Sequence, residues 1–200
     1  MKNNLYITWI YVALISFLIS GNFFAQKNWA YEFDGVDDYG YASETYSYGP
    51  QFSVETWVYL IGESKQEITP ILYQMTQGTE NFAIFIENGM VYFRIGDSEV
   101  NSGIKIPVFQ WVHIAGTNDS GALKFFLNGK EVTEQGNPSS SPIISSDLPE
   151  LTGLYVASSI EGKLKGLLDE VRFWEIPIDS KHMNASGGNG SPSENFPNSI

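Results

Sequence analysis

The chain contains no cysteine. That removes a disulfide scaffold, a cysteine-ligated zinc or iron–sulfur site, a thiol nucleophile and a lipid-modified cysteine anchor. It assigns no compartment, because an exported domain with an adequate core needs no disulfides. Positive charge is scarce: 11 Lys and Arg stand against 23 Asp and Glu, a formal charge of −12. This balance argues against non-specific binding to nucleic acid or anionic membranes, and suits solubility, cations or neutral ligands. A Gly-x-Ser-x-Gly elbow and a His-Glu-x-x-His pair are absent, which removes two common hydrolase signatures. There is no convincing internal repeat and almost no helical periodicity after the first 25 residues.

What remains is material for a β fold. Of the 200 residues, 42% are hydrophobic and 14% aromatic, enough for one domain with a sizeable core. Residues 1–25 have the layout of a signal peptide: Lys2, an uncharged apolar run from Leu5 to Ile19, a break at Gly21-Asn22 and a small residue at Ala25. The run is short for a membrane span, so cleavage near Ala25–Gln26 and a secreted or cell-surface location are expected.

Downstream, alternation predicts a strand through Trp29, Tyr31 and Phe33, a short one over 39–42, and a long one over 52–61. In the long strand, Phe52, Val54, Thr56, Val58 and Leu60 share one face, and Ser53, Glu55, Trp57 and Tyr59 the other. Both faces carry bulk, which marks a central strand of a sandwich. Asn88-Gly89 and Asn128-Gly129 each separate two alternating runs and predict tight hairpins. His113 alternates with apolar residues and has no triad-like setting, so it reads as a satisfied strand histidine. The Ser- and Pro-rich stretch 134–150 predicts a long loop. Residues 179–184 fit one helical turn, and the rest of the chain to Ile200 a flexible polar tail. About ten short strands with tight turns indicate an all-β, antiparallel sandwich.

Two acidic features stand out. Asp34, Asp37 and Asp38 crowd one turn, either as turn chemistry or as oxygen ligands of a hard cation. In the strand 166–174, strict alternation places Asp169 with Leu167, Val171 and Phe173. A carboxylate on such a face must be paired, hydrogen-bonded or bound to a cation.

The ordered segments FDGVDDY, FSVETWVY, QWVHIAGT, FFLNGKEV and GLLDEVRFW resemble a laminin-G-like domain of the concanavalin A-like lectin/glucanase superfamily, related to pentraxins. The resemblance covers residues 29–178, with a domain over 26–178. It implies a jelly-roll sandwich acting as a single, monomeric extracellular binding module, carbohydrate-directed and often part of a larger surface protein. It also implies a structural calcium (Ca2+) where an early turn meets the last strand, with Asp34, Gly35 and Asp169 as candidate ligands and Asp37 or Asp38 as substitutes for Asp34. The glycoside hydrolases of the superfamily carry Glu-x-Asp-x-x-Glu on a strand. Here Leu167 stands in the place of the first Glu, which favours binding over catalysis. A binder needs exposed rings that stack on a sugar's C–H face. Tyr39, Tyr41, Tyr73 and Tyr92 are the candidates, with Tyr46 and Tyr48 behind them; Trp57 reads as packing. The partner is then a glycan, or in the adhesion alternative a cell-surface or matrix protein.

Overall fold

The structure is a computed structural model that describes residues 30–43, 49–63, 67–135, 152–159, 162–181 and 183. The expected signal peptide, Tyr46, Tyr48, most of the 134–150 loop and the tail beyond residue 183 lie outside the described residues.

The described strands are β1 (Tyr31–Asp34), β2 (Gly40–Ala42), β3 (Gln51–Leu60), β4 (Ile68–Thr76), β5 (Thr79–Glu87), β6 (Met90–Ile95), β7 (Ser98–Lys105), β8 (Trp111–Asp119), β9 (Ala122–Leu127), β10 (Lys130–Glu131), β11 (Glu134–Gln135), β12 (Gly153–Val156) and β13 (Lys165–Trp174). They form two antiparallel sheets packed face to face. One has six strands in the order β1-β13-β3-β8-β9-β10, the other seven in the order β11-β7-β6-β5-β4-β12-β2. The fold is the expected sandwich, and β3 is central between β13 and β8.

The core between the sheets takes the even-numbered face of β3, with Phe52, Val54, Val58 and Leu60. Leu72, Phe82, Ile84, Phe93, Ile114, Phe125 and Leu168 meet them there. Gly116 faces Phe93 so closely that a Cβ would lie 2.5 Å from the ring. The Asn-Gly hairpins form as predicted, with Asn88 and Gly89 at φ 52° and 82° and Asn128 and Gly129 at φ 49° and 73°. Gln77-Gly78 makes the same two-residue turn between β4 and β5. β7 is a strand without the expected signal. It contains Glu99, Asn101 and Ser102, all buried.

β13 departs from strict alternation. Its register with β3 shifts between Asp169 and Arg172, and Glu170 sits at φ 55°. This bulge inserts an extra residue and reverses the faces downstream. Leu168, Val171 and Phe173 therefore share the core side. Asp169 opposes Trp57 and Arg172 opposes Glu55, on the outer side. Beyond β13 the chain folds back over that outer side. Ser53 Oγ donates to the Ile176 carbonyl and accepts the Ile178 N–H, both at 2.8 Å. Ile178 and Met183 then pack on Ala115 and Phe126. A helical turn closes with Met183 N–H donating to the Asp179 carbonyl at 3.0 Å.

Candidate ligand-binding site

The connections at one end of the sandwich enclose a cleft of about 880 Å³. Its floor is apolar, from Leu60, Ile86, Ile106 and Val108, and its polar wall includes Thr69, Asn88, Glu63 and Glu67. Gly35, Lys105, Lys163 and Lys165 complete the lining. The ammonium of Lys163 is positioned twice over. It donates to Ser158 Oγ at 2.5 Å and lies 5.0 Å from the centre of the Tyr39 ring. Tyr39 is 57% exposed.

The acidic turn adjoins this cleft through Gly35. Carboxylate oxygens of Asp34, Asp37 and Asp38 approach within 4.8 Å of one another, and all three residues are exposed. Much of their bonding is turn chemistry. Asp34 Oδ1 accepts the N–H of Val36 at 2.7 Å and of Asp37 at 3.3 Å, and Asp38 Oδ2 accepts the N–H of Asp34 at 3.2 Å. These backbone bonds, Val36's foremost, hold the Asp34 carboxyl below its ordinary range.

Asp169 does not meet this turn, which corrects the ligand set Asp34, Gly35 and Asp169. Asp34 is opposite Lys165 and Tyr31 opposite Leu168. Asp169 is therefore four residues further along β13, about 13 Å at the rise of a strand. Its side is set by the bulge-bearing register, buried on the outer face beside Trp57. The carboxylates that do converge are Asp34, Asp37 and Asp38. An all-oxygen donor set fits a hard cation such as calcium, with the remaining ligands due from backbone and water.

The four tyrosines separate. Tyr39 lies outside the lining of the cleft, against its Lys163. Tyr41 is 52% exposed on the edge strand β2; its hydroxyl donates to the Thr152 carbonyl at 2.8 Å and its ring packs 5.1 Å from Tyr155. Tyr73 and Tyr92 are only 1% and 6% exposed, so neither offers a ring to a ligand in this structure, contrary to expectation. They belong to a second apolar cluster with Ile68, Met75, Ala83 and Phe85, drawn from β4, β5 and β6. Alternation reveals which face a residue takes but not whether that face is covered.

The family assignment rests on the same framework. A laminin-G family model, described as concanavalin A-like lectin/glucanases superfamily, matches residues 34–182. The chain belongs to the concanavalin A-like lectin/glucanases superfamily. Among solved structures it is similar to domain 4 of AbnA, a GH43 extracellular arabinanase from Geobacillus stearothermophilus, in complex with arabinotriose. Identity is 18%, coverage 76% of this chain and 85% of that one, and TM-score 0.53. A heptameric SAP-like pentraxin from Limulus polyphemus is 12% identical over 82% and 84% of the two chains, at TM-score 0.60. The binding domain of Paraclostridial Mosquitocidal Protein 1 is 11% identical at TM-score 0.57. The match covers 80% of this chain but only 45% of that one. At these identities the likenesses establish the fold. No curated protein matches in sequence.

This concanavalin A-like domain also carries two buried polar nodes, one on the outer side of each sheet. On the six-stranded sheet, Glu55 accepts from His113 Nε2 at 3.0 Å, Trp174 Nε1 at 3.1 Å and Arg172 at 3.4 Å. His113 is thus the satisfied strand histidine that its pattern predicted. On the seven-stranded sheet, Arg94 makes a two-point contact with Glu80 at 2.7 and 2.9 Å and lies 3.6 Å from Glu99. Sequence reasoning missed both nodes, and it missed the lysines of the cleft. Lys105, Lys163 and Lys165 come from two regions about sixty residues apart. Only the folded chain brings them together.

Proposed function

We propose that this chain is a secreted or cell-surface, non-catalytic module that binds carbohydrate in the end cleft. The cleft and its surroundings carry the reading: an exposed tyrosine ring beside a positioned ammonium, which itself lines a cleft of apolar and polar side chains. Ring faces stack on the C–H side of a sugar while polar groups read its hydroxyls. Membership of a lectin/glucanase superfamily supports the reading, as does a similar domain in complex with arabinotriose. The signal-peptide layout of residues 1–25 supports export.

The test is a glycan array with the purified protein, repeated with Tyr39→Ala. Binding that is lost in the variant, with the melting curve unchanged, is the expected result. Association with a cell-surface or matrix protein and no glycan binding would replace this reading by adhesion. Hydrolysis of a polysaccharide panel would overturn the non-catalytic assignment.

A structural calcium at Asp34, Asp37 and Asp38 is part of the proposal. Calcium that binds only the folded form raises its stability by mass action. Melting in calcium should exceed melting in chelator by several degrees, and Asp34→Asn/Asp38→Asn should abolish the difference. Asp169→Asn should leave it intact. Equal melting in calcium and chelator removes the calcium from the proposal.

A further inference from the structure

The whole chain has about two acids for each base, 23 against 11. Among the charged residues that line the cleft, bases outnumber acids, with Lys105, Lys163 and Lys165 against Glu63 and Glu67. Arg94 is committed to Glu80 and Glu99, Arg172 to Glu55 and Glu170, and Lys124 to Glu131. Lys105 and Lys165, by contrast, make no ion pair among the described residues. Their stems are seated by glycines. Lys105 lies over Gly89 and Lys165 over Gly35, where an added Cβ would come within 3.1 Å and 2.9 Å of the lysine side chains. Lys163 is held by Ser158 and the Tyr39 ring.

Asp34, Asp37 and Asp38 keep their negative charge beside the cleft, so selection of an anion depends on direct contact with the ammoniums rather than on the net field. Asp34 Oδ1 and Asp38 Oδ2 turn back to accept N–H groups of their own turn. Lys105 and Lys165 are exposed and Lys163 is half-buried, so their ammoniums can reach an anionic group in the cleft and make charge-assisted hydrogen bonds to it.

We propose that the cleft selects an acidic saccharide. Lys163, with Lys105 and Lys165, holds the carboxylate or sulfate, and the sugar ring rests on Tyr39. The proposal rests on the glycan-binding reading and adds the charge of the ligand. It also reverses the expectation from overall composition, which suited neutral ligands.

The probes are oligogalacturonate for the carboxylate, chondroitin sulfate oligosaccharide for the sulfate, and neutral arabino- and gluco-oligosaccharides. They are titrated calorimetrically into the full chain from an exporting host, at low and high salt. The acidic probes should bind roughly tenfold more tightly than neutral ones, the worth of one charge-assisted hydrogen bond. That advantage should shrink with salt and vanish in Lys163→Gln/Lys165→Gln, whose fold is checked by thermal melting. Which acidic probe binds assigns carboxylate or sulfate. Equal affinity for neutral probes, or acidic binding untouched by the lysine substitutions, overturns the proposal. Neutral binding that depends on Tyr39 but not on the lysines sinks the acidic selectivity and leaves the glycan reading intact. No binding to any probe sinks both.

Discussion

Glu55 and Glu99 are both buried carboxylates, yet their neighbours send them in opposite directions. Burial alone would raise Glu55. The hydrogen bond and charge of His113, the Trp174 indole N–H and the charge of Arg172 outweigh it, and the carboxyl lies below its ordinary range. A depressed carboxyl contributes stability above its unfolded pKa and loses it as pH falls through the folded value. Removing the carboxylate strands the His113 and Trp174 donors and leaves Arg172 with Glu170 alone. Glu55→Ala should cost about 3–5 kcal/mol at neutral pH in urea unfolding, and the cost should shrink in acid. A loss under 1 kcal/mol would show that the node contributes little.

Glu99 goes the other way. Burial pushes it up, Arg94 opposes, and the charges of Glu87 and Glu80 add to the rise, leaving it at about 7. The folded chain therefore holds a proton that the unfolded chain has released above its ordinary value of 4.5. Stability from this group is complete below that value and is lost as pH rises to about 7. Glu99→Gln keeps the shape and removes the titration. It should be more stable than the parent at pH 8 by on the order of 1–3 kcal/mol, and similar to it in mild acid. The same difference at both pH values would contradict the assignment. None of this was legible in sequence. Glu99 stands in a polar run, and its burial depends on strands that close around it only in the fold.

At the level of elements, legibility followed the strength of local signals. Asn88-Gly89 and Asn128-Gly129 announce their hairpins because a type I′ turn needs positive φ at both central residues. Bulky alternation in Phe52–Leu60 announces a central strand. β7 escaped notice because Ser98, Glu99, Asn101 and Ser102 carry no apolar period. The β13 bulge escaped because nothing in Asp169-Glu170-Val171 marks a positive φ. Glycine would have flagged it; Glu170 adopts the conformation without that signal. One skipped residue was enough to move Val171 and Phe173 into the core and to bring Arg172 and Trp174 over Glu55. The contact of β8 with β6 offers a direct check of the packing. Gly116→Ala would push a Cβ into the Phe93 ring, 2.5 Å away. Overpacking of this kind costs about 1–3 kcal/mol. Pairing with Phe93→Leu should recover part of the loss, because it removes the atoms that clash. An unperturbed melting temperature in Gly116→Ala would mean that the sheets separate more easily than this contact implies.

For the molecule as a whole, net charge and local charge act against each other. A formal charge of −12 repels itself in the compact state, and that repulsion is legible directly from composition. The lysine-lined cleft is not, because Lys105 and the pair Lys163 and Lys165 are distant in sequence and meet only where β7 and β13 reach the same end of the sandwich. Salt therefore tests two scales at once. Raising ionic strength from about 0.01 M to 0.15 M shortens the Debye length from about 30 to 8 Å. Screening should relieve the global repulsion and raise the melting temperature by a few degrees. The same screening should weaken an acidic saccharide in the cleft, because there the interaction is attractive. Melting temperature and affinity measured over one salt series should thus move in opposite directions. In Lys163→Gln/Lys165→Gln the melting trend should persist while the salt dependence of affinity flattens. Parallel trends in the parent would mean that the protein's overall negative charge, rather than the lysines, dominates the field at the cleft.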